Sequence, residues 1–369
     1  MDGDLLLALV VAIALVFGFS NGVLDAPTLL SSLVSTRAIG PRTALVGGSL
    51  LNFAGAFLTL QVAVTLAEKI IDPSAIQGTD GLEVVLAGIA GAIAWTVATS
   101  NLDLPSSSSH ALIGGLVGAT IVAVGFGGIE LGGLVGLALL PAVLAPVVAF
   151  ILGAGFIAVV YRLFARRRPG PVGRGFRLAQ HFSGGLLAFS HGSNDAQTTM
   201  GVITLALVAN GTLADGEGTP LWVVIAAAAA IALGTAIGSG RVPGRSVPRI
   251  IKIDPAQGFT SELSSSTTIL VASLLGFPLS TTQVMNAGVI GAGAARGISA
   301  RRWGLARSVT RAWVLTFPAA AAIGALAFGI TSLVGGGLIG GLIAVAVIGI
   351  GALLASRRMV PRAVRLART

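Results

Sequence analysis

The chain has 369 residues, of which 54% are hydrophobic and only 10% charged, with a mean hydropathy of +0.93. A soluble surface needs about 25% charged residues, so a water-soluble globule is excluded and an integral membrane protein remains. The absence of cysteine removes disulfides, thiol catalysis and cysteine metal sites. The 52 glycines suit closely packed helices, and the scarcity of alternating apolar and polar segments argues against an outer-membrane barrel.

In chain order, Met1-Asp2-Gly3-Asp4 carries acid where a cleaved signal peptide needs a basic region, so Leu5 onward is expected to be a retained membrane segment. With about 20 apolar residues per span, segments are predicted near 5–22, 43–66, 84–99, 107–125, 132–161, 181–209, 221–238, 260–275, 278–295, 308–331 and 336–355. All of the 23 basic residues except Lys69 fall in five groups. These are Arg37 and Arg42; Arg162, Arg166, Arg167, Arg168, Arg174 and Arg177; Arg241, Arg245, Arg249 and Lys252; Arg296, Arg301, Arg302, Arg307 and Arg311; and Arg357, Arg358, Arg362, Arg365 and Arg368. The other connections are acidic: Asp2 and Asp4; Glu68, Asp72, Asp80 and Glu83; Glu130; and Asp215 and Glu217. By the positive-inside rule the basic groups and the C-terminus are cytoplasmic, in a multi-pass protein of the inner (plasma) membrane. The net charge of +9 is thus topological, and it points to anionic lipid at the basic face rather than to nucleic acid.

A simple zigzag fails twice. The acidic connections at 68–83 and 125–131 bracket two apolar segments whose junction, Ser100 to Pro105, has no Lys or Arg, so this pair enters from outside and returns there. The pair around Leu275-Gly276-Phe277-Pro278 lies between two basic groups and enters from inside. The junctions resemble each other, Pro105-Ser106-Ser107-Ser108-Ser109-His110 against Pro278-Leu279-Ser280-Thr281-Thr282-Gln283, with prolines 173 residues apart. Two polar motifs inside apolar runs also correspond. Ser190-His191-Gly192-Ser193-Asn194-Asp195-Ala196 matches Ser20-Asn21-Gly22-Val23-Leu24-Asp25-Ala26, with the aspartates 170 residues apart. A unit of this length, repeated in opposite orientation, predicts a site near the midplane on broken helices. The expected fold class is an all-α polytopic membrane protein, an inverted-topology repeat with two re-entrant helical hairpins. The first membrane repeat covers 1–165 with its hairpin near 84–125, and a basic cytoplasmic linker covers 166–180. The second repeat covers 181–356 with its hairpin near 260–296, and 357–369 forms a basic cytoplasmic tail.

Proline followed by hydroxyl residues at a hairpin tip leaves backbone N–H groups and hydroxyls free to cradle an oxyanion, although one copy alone could be an ordinary capped helix start. Asp25 and Asp195 need a cation or a proton, because an aspartate in a membrane span costs at least about 2.5 kcal/mol. With Asn21, Ser20, Ser193 and Asn194 beside them, hard oxygen ligands suit Na⁺, and a proton serves a carboxylate equally well. Asn52 and the ionisable Glu262 are further intramembrane candidates. Ser109, His110 and Asp25 do not make a serine protease, because neighbours on a helix do not face each other. His191 reads as a hydrogen-bonding or proton-linked residue, and three scattered histidines make no metal cluster.

These motifs, together with Ala294-Ala295-Arg296-Gly297 and Trp313-Val314-Leu315-Thr316-Phe317-Pro318, resemble the inorganic phosphate transporter (PiT) family over nearly the whole chain. The resemblance implies phosphate uptake by Na⁺- or H⁺-coupled symport through alternating access, with no enzymatic step, no cofactor and no metal beyond Na⁺. It implies that Asp25, Asp195, Ser107, Ser108, Ser109, Ser280, Thr281 and Thr282 bind substrate, with Asn21 and Asn194 beside them; Asn21, Asp25, Asn194 and Asp195, and Glu262 from its own ionisable character, are the candidates for holding the coupling ion. Thr28 stands where the family usually has Asn and Thr198 where it has Lys or Asn, so both keep a hydroxyl at the substrate site. Gln283 replaces a common His, and Asp103 a common Gly. The alternatives are a related oxyanion permease, notably for sulfate, and an anion channel. A homodimer is one assembly open to such a protein.

Overall fold

The computed structural model describes residues 2–102, 106–238, 253–294 and 300–366. Asp103, Leu104 and Pro105 at the first expected hairpin tip, Arg241, Arg245, Arg249 and Lys252, and Ala295-Arg296-Gly297 lie outside the described residues. So do the side chains of Arg301, Arg302, Arg307 and Arg311 and those of the basic tail.

The described chain is helical, its one β feature an isolated bridge between Ile71 and Ile129. In order the helices are α1 (Asp2–Ser35), α2 (Pro41–Gly55), α3 (Gln61–Glu68), α4 (Gly78–Asn101), α5 (Ser108–Val124) and α6 (Leu131–Phe164). They continue with α7 (Pro169–Ala209), α8 (Leu221–Ile237), α9 (Pro255–Leu274), α10 (Thr281–Ala294), α11 (Ala300–Leu333) and α12 (Gly337–Leu366). Proline at the first turn starts α2, α7 and α9, and Asp254 with Gln257 completes a capping box on α9. Among the described residues five helices are long and apolar enough to cross a membrane: α1, α4, α6, α11 and α12.

Two differences from the predicted spans bear on the site. The segment predicted at 5–22 continues as helix to Ser35, and the octet Ser190–Gln197 sits within unbroken α7. Neither polar motif interrupts its helix, because its side chains find partners in other helices. The span predicted at 43–66 is instead the broken one: α2 stops at Gly55 and α3 starts at Gln61.

Two apolar cores flank the polar motifs. One contains Leu6, Val10 and Phe17 of α1 together with Met200, Ile203 and Leu207 of α7; the other contains Leu29, Leu30 and Leu33 of α1 with Leu187 and Ala188 of α7. Along α1 the first core comes before Asp25 and the second after it, whereas along α7 the order around Asp195 is reversed. The two helices therefore run in opposite directions, with a polar layer between two apolar ones. Around them α5 packs on α11 and α10 on α6, while α4 lies against α5 and α9 against α10.

Close backbone approach holds the centre together. A methyl group on Gly192 would sit 1.9 Å from the Asn52 carbonyl, and one on Gly22 2.2 Å from that of Ile231. Likewise a methyl on Gly55 would meet the Phe189 carbonyl at 1.9 Å and one on Gly234 that of Phe19 at 2.1 Å. Thus α7 is seated on α2 and α1 on α8, in each case glycine against backbone.

Candidate functional site

In the polar layer the two aspartates meet around His191. Its Nε2 lies 3.4 Å from Asp25 Oδ2 and 3.2 Å from Asp195 Oδ2. All three residues are buried, and their ligand atoms lie within 4.8 Å of one another, a spacing that could hold a metal ion. The sequence, scanned for histidines alone, suggested no such cluster; folding makes one from a single histidine and two aspartates.

The orientation of the imidazole is set from behind. Thr235 Oγ1 donates to the Ile231 carbonyl at 2.9 Å, so it accepts from Asn52 Nδ2, also at 2.9 Å. That leaves Asn52 Oδ1 facing His191 Nδ1 at 2.9 Å, and Nδ1 is the donor. Nε2 consequently faces two carboxylate oxygens, an arrangement that requires a proton or another cation among the three groups.

Residues at the starts of α5 and α10, with Asn21 of α1, supply the remaining partners. Thr281 Oγ1 donates to Asp195 Oδ2 and Thr282 Oγ1 to Asp25 Oδ1, each at 2.9 Å. Asn21 Nδ2 donates to Asp195 Oδ2 at 3.2 Å, and Ser108 Oγ donates to Asn21 Oδ1 at 2.8 Å. One connected network therefore joins α1, α7 and the starts of both α5 and α10. Among the described residues Asp195 Oδ1 is buried without a partner, so the network still has an open acceptor, and the buried Ser109 hydroxyl beside Ser108 is likewise unpartnered.

Other residues singled out in the sequence have different places. Ser107 caps α5 by accepting from the His110 N–H, and Ser280 accepts from the Gln283 N–H at 3.3 Å. Asn194 clasps the turn between α9 and α10, accepting from the Leu279 N–H at 3.0 Å and donating to the Phe277 carbonyl at 3.0 Å and to Ser273 Oγ at 3.1 Å. Thr198 Oγ1 donates to the Asp195 carbonyl of its own helix at 2.7 Å.

Glu262 forms a separate cluster. It accepts from Ser32 and Ser183 Oγ at 2.5 Å each and from Gln180 Nε2 at 3.0 Å. Beside it Thr28, Ser31, Ser261, Ser265 and Asn286 line a cavity with about 10 Å³ of room, on the scale of one water. Sequence reasoning missed Thr235, Gln180 and Ser183 as partners; the signal for Thr235 was a lone hydroxyl at the end of the otherwise apolar α8.

Residues 21–324, which contain both aspartates and the starts of α5 and α10, match the profile of the Phosphate transporter family. The chain belongs to this family. A "probable low-affinity inorganic phosphate transporter" of Rhizobium meliloti is 43% identical over 332 residues, covering 89% of this chain and 98% of the relative. A protein of the same description from Mycobacterium bovis is 41% identical, covering 90% of this chain and 79% of the relative. Among solved structures, "The sodium-dependent phosphate transporter" superposes with a TM-score of 0.79 over 89% of this chain and 99% of that one, at 22% identity, a likeness of fold. The chain is a membrane transporter of the phosphate transporter family, not an enzyme. The His191 cluster lies enclosed between the two apolar cores.

Proposed function

We propose that this member of the phosphate transporter family is a secondary active transporter that takes up inorganic phosphate with Na⁺ or H⁺ by alternating access. Its substrate follows from the relatives' names, and its coupling from one observation: Thr281 and Thr282 donate their hydroxyls to Asp195 and Asp25. A hydroxyl committed to a carboxylate cannot donate to an oxyanion. A Na⁺ or H⁺ taken up by the aspartates releases these donors, and phosphate then takes them together with Ser109 and the N–H groups opening α5 and α10, while Ser108 stays on Asn21. Each ligand removes the other's obstacle, so cation and anion bind with mutually raised affinity. Ser107, Ser280 and Asn194 hold the hairpin tips in position, Asn21 links both sides, Thr198 donates its hydroxyl within its own helix, and Thr28 lines the Glu262 cavity. Glu262, with its own hydroxyl shell, is a second place for a cation or proton.

We read the scaffold as an inverted repeat with α4–α5 and α9–α10 as re-entrant hairpins. Asn21 and His191 occupy equivalent motif positions, and each reaches the aspartate of the other half. A methyl on Gly115 would strike the Gly88 carbonyl, and one on Gly288 would approach that of Ser261, the equivalent pair 173 residues on. At 14 residues, α10 is about 21 Å long, short of the ~30 Å hydrocarbon core. The basic groups put Arg37, the linker around Arg166–Arg168 and the C-terminus on the cytoplasmic side of the inner membrane.

The test is uptake by the purified full chain in liposomes. Phosphate should accumulate against its gradient only with an imposed Na⁺ or H⁺ gradient, and Asp195→Asn should abolish accumulation. Flux that runs only downhill and ignores both gradients identifies a channel; accumulation of sulfate in place of phosphate identifies the other permease class.

A further inference from the structure

A second feature is remote from the transport site. Helix α6 ends at Phe164 and α7 begins at Pro169, and the turn between them carries Arg166, Arg167 and Arg168. These arginines and Phe164, Val172 and Phe176 line a groove of about 740 Å³. Its floor is apolar and fixed: Phe176 is 9% exposed and its ring lies 5.4 Å from that of Phe164 and 5.5 Å from that of Phe259. Its rim is cationic, since all three arginines are exposed and none forms an ion pair among the described residues. No acidic residue occurs in the chain between Glu130 and Asp195. The acid facing this region from α9, Asp254, accepts from Tyr161 Oη at 2.8 Å and from the Gln257 N–H.

The surroundings place the groove at a membrane boundary. Leu163 and Leu178 are each 72% exposed and Phe182 67%, an apolar surface that only lipid suits. The arginines follow directly on the end of the membrane span.

We propose that this groove binds one anionic phospholipid, its phosphate on Arg166, Arg167 and Arg168 and the root of its acyl chains on Phe164, Val172 and Phe176. Guanidinium groups hold phosphate oxygens in pairs, and an acyl chain gains from the apolar floor whereas a free phosphate does not. Basic pockets beside membrane helices on the cytoplasmic face have this chemistry in general. The inference rests on the membrane placement of α6 and α7 and is independent of which anion is transported.

Native mass spectrometry of the full chain, purified in a mild detergent with equal phosphatidylglycerol and phosphatidylcholine, tests it. Wild type should retain phosphatidylglycerol in preference to phosphatidylcholine. R166Q/R167Q/R168Q should lower that retention about a hundredfold, each arginine near an anionic lipid contributing about fivefold. The control R162Q/R174Q/R177Q, equal in charge change but outside the groove, should retain the lipid as wild type does. Wild type without a preference, undiminished retention in the groove variant, or an equal loss in the control each overturns the site. Displacement of the lipid by excess inorganic phosphate, with phosphate bound in its place, would likewise assign the arginines to a free anion. Equal melting temperatures for the three proteins exclude unfolding as the cause of a loss.

Discussion

His191 has its two ring nitrogens in different company: Nδ1 is tied to an amide that is itself anchored on α8, and Nε2 lies between two carboxylates. The amide is therefore a positioning residue. Asn52→Leu removes the acceptor, leaves a buried donor unsatisfied at a cost of about 1–3 kcal/mol, and lets the ring turn. Phosphate uptake in liposomes should fall at least about tenfold, since a loosened catalytic or binding group loses on the order of a hundredfold from small misplacements, together with a lower melting temperature. The hairpin hydroxyls divide differently. Thr281→Val and Thr282→Val should each abolish most gradient-driven uptake, and Thr281→Ser should restore it, because only the hydroxyl is in use. Ser280→Ala should cost about 1 kcal/mol of stability, the usual loss of a helix cap, and keep a measurable part of the uptake. Uptake in Thr282→Val equal to wild type would remove the basis of the proposed coupling.

At the scale of elements, the seams α2–α7 and α1–α8 depend on glycine because backbone faces backbone. Gly192→Ala puts a methyl 1.9 Å from the Asn52 carbonyl and Gly55→Ala one at 1.9 Å from that of Phe189. Neither neighbour is the free end of a side chain, so both variants should lower the yield of folded protein severely. Gly155→Ala on α6 meets nothing within 4 Å and should be neutral or stabilising by up to about 1 kcal/mol. Size-exclusion profiles and melting temperatures in detergent distinguish the two classes. Another link at this scale joins the two ends of the fold: Glu83, placed by its sequence in an acidic connection, is buried and accepts from the Gly337 N–H at the start of α12.

For the whole molecule, helical class, the positions of most apolar helices and most of the residues that meet around His191 were legible from residue types, because polarity inside a long apolar run is rare enough to carry meaning. Asp25, Asp195, Asn21, Ser108, Thr281 and Thr282 do come together in one network. What the sequence could not give is partnership. His191 and Asn52 are 139 residues apart, and nothing in either neighbourhood names the other. The same ignorance shortened α1: an aspartate after an apolar run reads as the end of a span, and only the hydroxyl and imidazole across the interface allow the helix to continue past it. Glu262 likewise reads as part of one site until folding places it among Ser32, Gln180 and Ser183 of the two long helices. The absence of cysteine permits a topological test of the proposed architecture by single introduced cysteines. Ser74→Cys should react with an impermeant thiol reagent from outside intact cells and Gly170→Cys only from inside. Ser108→Cys and Thr281→Cys should change sides of access when the cation gradient is reversed. Labelling of both from one face under all conditions would refute alternating access.

The reciprocal glycine contacts also limit how the protein can move. Where one helix rests on another through a bare backbone, a slide of a single residue would drive a side chain such as Ser193 or Val23 into a carbonyl group. The pairs α2–α7 and α1–α8 therefore behave as two splints, rigid along their length. Helices α5 and α10 are seated in the same way, a methyl on Gly118 meeting the Ala321 carbonyl of α11 at 1.9 Å and one on Gly291 the Phe150 carbonyl of α6 at 2.2 Å, so any rearrangement of the central layer falls to the side-chain contacts between such pairs. The aspartates ride on the splints and the threonines on one of the hairpins. The bonds from Thr281 to Asp195 and from Thr282 to Asp25 join one such pair to the others, so a displacement of α10 relative to α1 or α7 is registered first at the carboxylates.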